Sequence, residues 1–232
     1  MTTQSQAAKA GIFYPETDGK PMAETDLHRA LMAELIEQLD DFFRNDPEVY
    51  VSGNLMFYYV EGNPAKCTSP DVFVVRGVPK GERRTYKLWE EGHPPQVVIE
   101  LSSQSTWGDD LQRKWRLFER LGVEEYFIFD PQYNYLWKPL LAFRLSNDEY
   151  EEVTVENGRV SSRALGLELV DTGETLRLFN PQTGRFLPTR QELQLAHEQA
   201  EAKALAEEQA RRKAEAELAR LREEIANLRQ SG

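Results

Sequence analysis

Three charged side chains lie next to apolar segments of the sequence. Asp71 comes directly before the run Val72–Val75, Glu100 comes directly after Val97–Ile99, and Lys114 lies in a helical pattern further along the chain. An acid that follows a buried strand stands where open α/β sheets tend to place their ligands. Two carboxylates and one lysine at such a position predict a metal-dependent hydrolytic site.

The chemistry expected of these groups is hydrolysis of a phosphodiester. Two carboxylates, with backbone oxygens and waters, hold Mg²⁺ or Mn²⁺, which are hard ions that prefer oxygen ligands. Such an ion stabilises charge on the phosphate and helps to generate hydroxide, while a lysine orients the water or stabilises the pentacovalent state. Each acid also has a plainer interpretation. Asp71 would then start its strand or cap the preceding turn, and Glu100 would pair with an arginine.

Lys114 falls on the inward face of a helix predicted over residues 109–121. The apolar stripe of that helix is Leu111, Trp115, Phe118 and Leu121. Lys114 follows the first of these by three residues and precedes the third by four, so it shares their face. It either extends outward to solvent, paired with Asp110, or meets the carboxylates. The aromatic members of the stripe are interpreted as core residues, not as base-stacking residues.

The surrounding elements predict an α/β fold with a mixed sheet. Thr25 or Asp26 is expected to cap a helix that ends near Phe43, with an inward stripe of Leu27, Leu31, Leu35 and Leu39. Strands are predicted at 49–51, 55–60, 72–75, 96–101 and 125–129, with a hairpin turn at 52–54 and a loop over 76–93. Alternating runs over 135–179, with the turn signal Asn157-Gly158, predict further antiparallel strands.

The C-terminal part has a different composition from the rest. From Thr189 the chain is rich in Ala, Glu, Gln, Arg and Leu, which predicts a long helix over 189–232. A short seam with spacings of four and three consists of Ala214, Leu218, Leu221, Ile225 and Leu228. It lasts about two heptads, so a homodimeric coiled coil and a solvated helix both stand as interpretations. The domain boundaries expected are a disordered segment 1–10, a globular domain 11–188 and this tail.

Composition limits the function classes. The 232 residues carry a formal net charge of −11, which argues against diffuse charge-driven binding to nucleic acid or to anionic membranes. The lone Cys67 excludes a cysteine-rich zinc site, and the three histidines lack zinc-ligand spacing. No histidine is a clear partner for Ser102 or Ser103, which argues against a serine hydrolase. Without an apolar run of membrane-spanning length or a signal-like start, a cytoplasmic protein is expected.

The sequence also offers candidates for a local basic surface. Its candidate members are Arg83, Arg84, Lys87, Arg113, Arg116 and Arg120. They would offset the acidic body beside DNA, or they are ordinary solvated charges.

Two stretches of the chain resemble a known family. Asp71, followed by Glu100-Leu-Ser102, resembles the PD-(D/E)xK nuclease signature with serine at the lysine position. In one branch of that superfamily the lysine lies on the following helix, as Asp110 and Lys114 do here. The run 100–106, together with 121–131, is similar to the Uma-two family, restriction-endonuclease-like proteins common in cyanobacteria. Residues 14–25 resemble the N-terminal signature of one subgroup.

This resemblance covers residues 11–190 and carries specific implications. It implies a restriction-endonuclease-like mixed sheet flanked by helices, a metal held by Asp71 and Glu100, and Lys114 as the displaced lysine. Ser102 and Asp110 are accessory candidates, and Glu24 or Glu34 would supply an additional acid that some relatives carry. Gln104 departs from the family, where proline is common.

The function expected is therefore hydrolysis of DNA by a magnesium- or manganese-dependent endonuclease, a homodimer through its C-terminal helix. One alternative is a nuclease-fold adaptor, oligomerised by its C-terminal helix, that binds nucleic acid or protein without cleaving it. Another is that the helical tail is the working part of the protein and the domain is a scaffold. The acidic body favours the adaptor, whereas the retention of both acids and the lysine opposes it.

Overall fold

The computed structural model describes residues 12–17 and 25–230. In chain order the elements are α1 Asp26–Phe42, β1 Val49–Ser52, β2 Phe57–Tyr58, β3 Cys67–Thr68, β4 Val72–Arg76, β5 Tyr86–Lys87, α2 Leu88–Glu91, β6 Val97–Leu101, α3 Trp107–Asp109, a π-helical turn Asp110–Lys114, α4 Trp115–Leu121, β7 Glu125–Phe129, β8 Leu140–Ser146, β9 Glu149–Glu152, β10 Arg159–Ser162, β11 Leu167–Asp171, β12 Leu176–Asn180, β13 Arg185–Phe186 and α5 Arg190–Gln230.

A six-stranded sheet with the order β1-β4-β6-β7-β8-β9 forms the centre of the globular part. The β6–β7 pair is parallel, and α3 to α4 connect its two strands, whereas the other neighbours are antiparallel. A four-stranded sheet, β10 to β13, and a small sheet of β2, β3 and β5 complete the strands. The architecture confirms the predicted mixed-sheet α/β class with a long C-terminal helix.

The central sheet is covered on both faces. Apolar side chains of its inner strands point alternately to one face and to the other, so both faces are packed. Val97, Ile99 and Leu101 of β6 pack in one cluster with α1 and the β10–β12 strands. Val98 packs in the other cluster, with Phe118 of α4 and residues of β2 and β5. The alternation places the Glu100 side chain on the second face, toward the helix that carries Lys114.

Helix α1 begins and ends close to the predicted positions, but its buried stripe is shifted. Thr25 is its N-cap and accepts a hydrogen bond from the His28 amide. Leu27 is 44% exposed, whereas His28 is buried with Leu31 and Leu35. The spacing of four residues suggested Leu27 as the first inward position. Because a helix turns every 3.6 residues, the inward face instead begins one residue later.

The hairpin predicted between residues 49–51 and 55–60 is wrong. β1 pairs with β4, and β2 belongs to the small sheet. The chain between them passes against the start of β4: Asn54 N donates to Pro70 O at 2.8 Å. A Cβ on Gly53 would lie 1.9 Å from Asp71 O, so glycine is required by the close approach of two backbones.

Two further turns bear on the sequence predictions. Asn157 and Gly158 both have positive φ, and the bridge Glu156–Arg159 closes this two-residue turn, as the sequence predicted. The segment 76–93 is more ordered than the predicted loop, since it contains β5 and α2. Parallel pairing of β5 with β2 depends on residues about thirty positions away, a contact that the local sequence does not signal.

The chain divides into two compact units, Met1–Leu187 and Pro188–Gly232. In the second unit, Thr189 and Glu192 form a reciprocal capping box at the start of α5. Of the predicted seam, Leu218 and Ile225 are about half exposed, while the side chains of Leu221 and Leu228 lie outside the described residues. The predicted disorder of residues 1–10 also falls outside them. Within 12–17 and 25–230, no helix has the length and apolar character to cross a membrane.

Candidate active site

Asp71 and Glu100 meet at one edge of the central sheet, because β4 and β6 are antiparallel neighbours. The register pairs Val72 with Ile99, which brings the start of one strand beside the end of the other. Asp71 Oδ2 accepts a hydrogen bond from Leu101 N at 2.8 Å, and Asp71 N lies 3.4 Å from Glu100 Oε2. Backbone pairing therefore fixes the two carboxylates relative to each other.

Lys114 reaches this pair from the helix above the sheet. Its Nζ lies 2.9 Å from Glu100 Oε2 and 3.0 Å from Asp110 Oδ1. Ser102 Oγ donates to Asp110 Oδ2 at 2.9 Å. Only 11% of the Lys114 side chain is exposed, so it does not extend outward to solvent. The structure thus brings together five predicted residues, which we call the carboxylate–lysine cluster: Asp71, Glu100, Ser102, Asp110 and Lys114.

The helix that carries two members of the cluster contains the π-helical turn Asp110–Lys114. Such turns within α-helices are uncommon and frequent at functional sites. The Tyr126 hydroxyl of β7 donates to Asp110 O at 2.9 Å, which anchors the widened turn to the sheet. Both ends of the turn, Asp110 and Lys114, are buried. The helical period in the sequence gave the correct face for Lys114 but no sign of the π turn.

His28 is a member of the site that the sequence prediction missed. Its Nε2 lies 3.4 Å from Asp71 Oδ1, on the side of the sheet opposite Lys114. The available signal was its position three residues before Leu31 and four before Met32, which places it on the inward face of α1. Asp71 is therefore held from both sides, by the His28 ring and by the Leu101 amide.

Burial and the neighbouring charges shift the ionisation of the cluster. Desolvation, reinforced by the other carboxylates, raises the pKa of Glu100 well above its usual value, even though Lys114 opposes it. Desolvation also raises the pKa of Asp110. At Asp71 the desolvation is outweighed by the His28 hydrogen bond and the Lys114 charge, which lower its pKa. The carboxylates outweigh desolvation at Lys114 and raise its pKa, so the ammonium stays charged.

The donor set fits a hard divalent cation. Three carboxylates surround one ammonium, so added positive charge would be favourable. Glu100 Oε1 is fully buried and has no hydrogen-bond partner in the described part of the chain. Among the same residues, no group of three or more His, Cys, Asp or Glu side chains is arranged to hold a metal. An ion at this position would be held by Asp71 and Glu100 and completed by backbone oxygens and water.

Of the two acids predicted as additional members, Glu24 and Glu34, only Glu34 lies within the described residues. Glu34 is half-buried on α1 and accepts a hydrogen bond from Gln38 at 3.1 Å. The α1 side chain that reaches Asp71 is His28.

Four of the six cations predicted for a basic surface have an acidic partner in the structure. The pairs are Arg83–Glu91, Arg84–Glu16, Lys87–Glu90 and Arg113–Asp109, with nitrogen–oxygen distances between 2.6 and 3.0 Å. The Arg83–Glu91 pair is mostly buried, with 13% and 21% of the two side chains exposed. The other three pairs lie at the surface, where such pairs contribute at most about 1 kcal/mol each. Phosphate groups would therefore compete with these carboxylates at little cost.

The sequence matches the model of one protein family. Residues 11–177 match Uma2, a family described as "Putative restriction endonuclease". This chain belongs to the Uma2 family. The match contains every member of the carboxylate–lysine cluster and ends before α5. It confirms the resemblance inferred from the motifs around Glu100 and 121–131.

One solved structure that this Uma2 chain resembles is a nuclease described as putative, from the DUF820 group of Anabaena variabilis ATCC 29413. The two are 15% identical, with 65% of this chain and 81% of that chain covered, and the TM-score is 0.46. At this level the similarity carries no inference about the site. No match was found among curated proteins.

Proposed function

We propose that this protein is a metal-dependent endonuclease that hydrolyses phosphodiester bonds of DNA. The observation that carries the proposal is the buried Lys114 ammonium, which lies about 3 Å from both Glu100 and Asp110 beside Asp71. Burial of three acids and a lysine at a sheet edge carries a desolvation cost that lowers the stability of the fold. A role in stability therefore does not account for the cluster. Membership of a family described as "Putative restriction endonuclease" supports the nuclease proposal.

In this proposal Asp71 and Glu100 hold Mg²⁺ or Mn²⁺. The ion, when bound, would polarise the phosphate and lower the pKa of a water molecule. Lys114 remains protonated, so it acts through its charge and not as a base, and it stabilises the negative charge that develops on the phosphate. Asp110, fixed by Ser102, holds the ammonium in place. His28 orients Asp71 in the same way.

Two further elements belong to the proposal. We infer that α5 pairs two copies of the chain through its Leu218 and Ile225 face, which gives two active sites for the two strands of a duplex. The surface cations Arg84, Lys87 and Arg113 exchange their acidic partners for phosphates when DNA arrives. A DNA substrate and the single cysteine are consistent with a cytoplasmic location.

The test is cleavage of supercoiled and linear DNA by the purified protein with Mg²⁺, with Mn²⁺ or with EDTA. The wild type should cut only with metal, and Glu100→Ala and the near-isosteric Glu100→Gln should be inactive. Glu149→Gln, the same change at an exposed residue of β9, is the control and should retain activity. Calorimetry on the same samples measures metal binding independently of cutting.

The adaptor is the competing function, and one observation favours it. Four of the six predicted DNA-binding cations are paired within the chain, and the net charge is −11. If the wild type cuts no substrate and binds no metal, the adaptor replaces the nuclease. Metal binding without cutting of DNA would retain the metal site and reject DNA as the substrate.

A further inference from the structure

A concave site lies on the next face of the helix that carries Lys114. It has a volume of about 430 Å³, within the range of small-ligand sites. Its walls include the apolar side chains of Leu111, Trp115, Trp137 and Phe143, with Gln112 and Arg116 as polar members. We call this cavity the aromatic pocket. Nothing in the proposed hydrolytic chemistry uses it.

The two tryptophans of the aromatic pocket have different surroundings. The Trp115 ring is half-buried and fixed by edge contacts with Phe143 and Tyr150, at centroid distances of 6.1 and 5.6 Å. Trp137 is 63% exposed. The sequence prediction that Trp115 serves the core is therefore correct for one side of the ring, while another part of it lines the cavity.

Although exposed, Trp137 is carried by a fixed loop. The carboxylate of Asp130, fully buried at the end of β7, accepts hydrogen bonds from four backbone amides of that loop: Gln132, Asn134, Tyr135 and Leu136. A carboxylate that gathers several amides in this way fixes the loop backbone. An aromatic ring on a rigid loop is pre-organised for a flat partner, because little conformational entropy is lost when it binds.

The polar groups of the aromatic pocket indicate which class of ligand it would bind. No carboxylate of the described residues pairs with the Arg116 guanidinium, although it lines the cavity. Gln112 is exposed and offers both a donor and an acceptor. Glu152 also lines the cavity, and its carboxylate is paired with Lys138 at 3.3 Å. Aromatic faces, an amide and an unpaired guanidinium match a nucleobase together with its phosphate.

We propose that the aromatic pocket binds an unpaired base of single-stranded DNA whose backbone continues to the carboxylate–lysine cluster. The substrate class rests on the proposed nuclease function. One helix serves both sites: Asp110 and Lys114 face the cluster, while Leu111 and Trp115 face the pocket. A helix with its side chains is about 10–12 Å across, so a few nucleotides span the two. The protein would then bind single-stranded overhangs and opened strands more tightly than intact duplex.

The experiment measures binding of a fluorescent single-stranded oligonucleotide to the full-length protein by anisotropy, in EDTA so that nothing is cut. Trp137→Ala should weaken binding roughly 5- to 150-fold, the range for one lost base stack. Trp137→Phe should restore most of the affinity. Phe186→Ala, which removes an exposed aromatic ring outside the pocket, is the matched control and should bind as the wild type does.

Two companion measurements separate stacking from charge. An oligonucleotide with abasic positions should bind the wild type as weakly as the normal oligonucleotide binds Trp137→Ala. Arg116→Gln should lower the slope of log K against log salt by about 0.7, the value for one phosphate contact on a single strand.

The outcomes distinguish this proposal from the nuclease proposal. If Trp137→Ala binds single strands as tightly as the wild type, or if the protein cuts duplex but binds no single strand, the pocket proposal is overturned and the nuclease stands. Base-dependent binding without any metal-dependent cutting would keep the pocket and reject the nuclease. Binding to neither DNA form would overturn both, and preference for RNA of equal length would reject DNA as the ligand.

Discussion

Replacement of Lys114 by methionine removes the ammonium from between two buried carboxylates and keeps most of the apolar stem. Glu100 Oε2 and Asp110 Oδ1 then lose a partner at 2.9 and 3.0 Å. Removal of one member of a buried ion pair typically costs about 3–5 kcal/mol, because the remaining charge is left without compensation. We expect the free energy of unfolding of the metal-free protein to fall by about that amount at pH 8.

The loss should depend on pH in one direction. Folding already raises the pKa of Glu100 and Asp110 above their unfolded values, and loss of the ammonium raises them further. An acid with a raised folded-state pKa lowers the stability of the native state as the pH rises from its unfolded to its folded pKa, and this loss disappears again as the pH falls toward the unfolded pKa. Lys114 itself is charged in both states at these pH values. The difference between variant and wild type should therefore shrink as the pH falls from 8 to 5.5.

Urea unfolding in EDTA, followed by tryptophan fluorescence, measures this difference. All four tryptophans precede Leu187, so the signal reports the globular unit and not α5. Lys66→Met, an exposed lysine of the globular unit, is the matched control and should change stability by less than about 0.5 kcal/mol. A loss below about 1 kcal/mol for Lys114→Met, or a larger loss at pH 5.5 than at pH 8, would refute the reasoning.

The remaining predictions concern three other parts of the chain. His28→Asn should lower metal affinity or cleavage by about 10- to 100-fold, because Asp71 loses an orienting partner; a metal titration of cleavage measures this, and an unchanged titration contradicts it. Gly53→Ala should destabilise the protein by about 1–3 kcal/mol or more, since its Cβ would overlap Asp71 O; a thermal melt equal to that of wild type would show that the two backbones can separate. Leu218→Glu together with Ile225→Glu should convert a dimer to a monomer by light scattering, and a wild type that is already monomeric rejects the α5 pairing.

The sequence by itself determined the parts of the site that depend on local pattern. An apolar run fixes a strand, so Asp71 and Glu100 could be assigned to strand ends before any contact was known. Helical spacing likewise put Lys114 on an inward face, and Asn157-Gly158 encoded its own turn, since both residues tolerate positive φ. The Uma2 motif around Glu100 gave the family.

Only the tertiary structure decided which side chains share the site. Strand pairing and layer packing join residues far apart in sequence, so His28 came to Asp71 from another helix, and β1 paired with β4 instead of forming a hairpin with β2. Tertiary contacts also decided the π turn at Asp110–Lys114 and the acidic partners of the surface cations. Periodicity reports the face that a residue occupies, whereas its partner across that face depends on the fold of the whole chain.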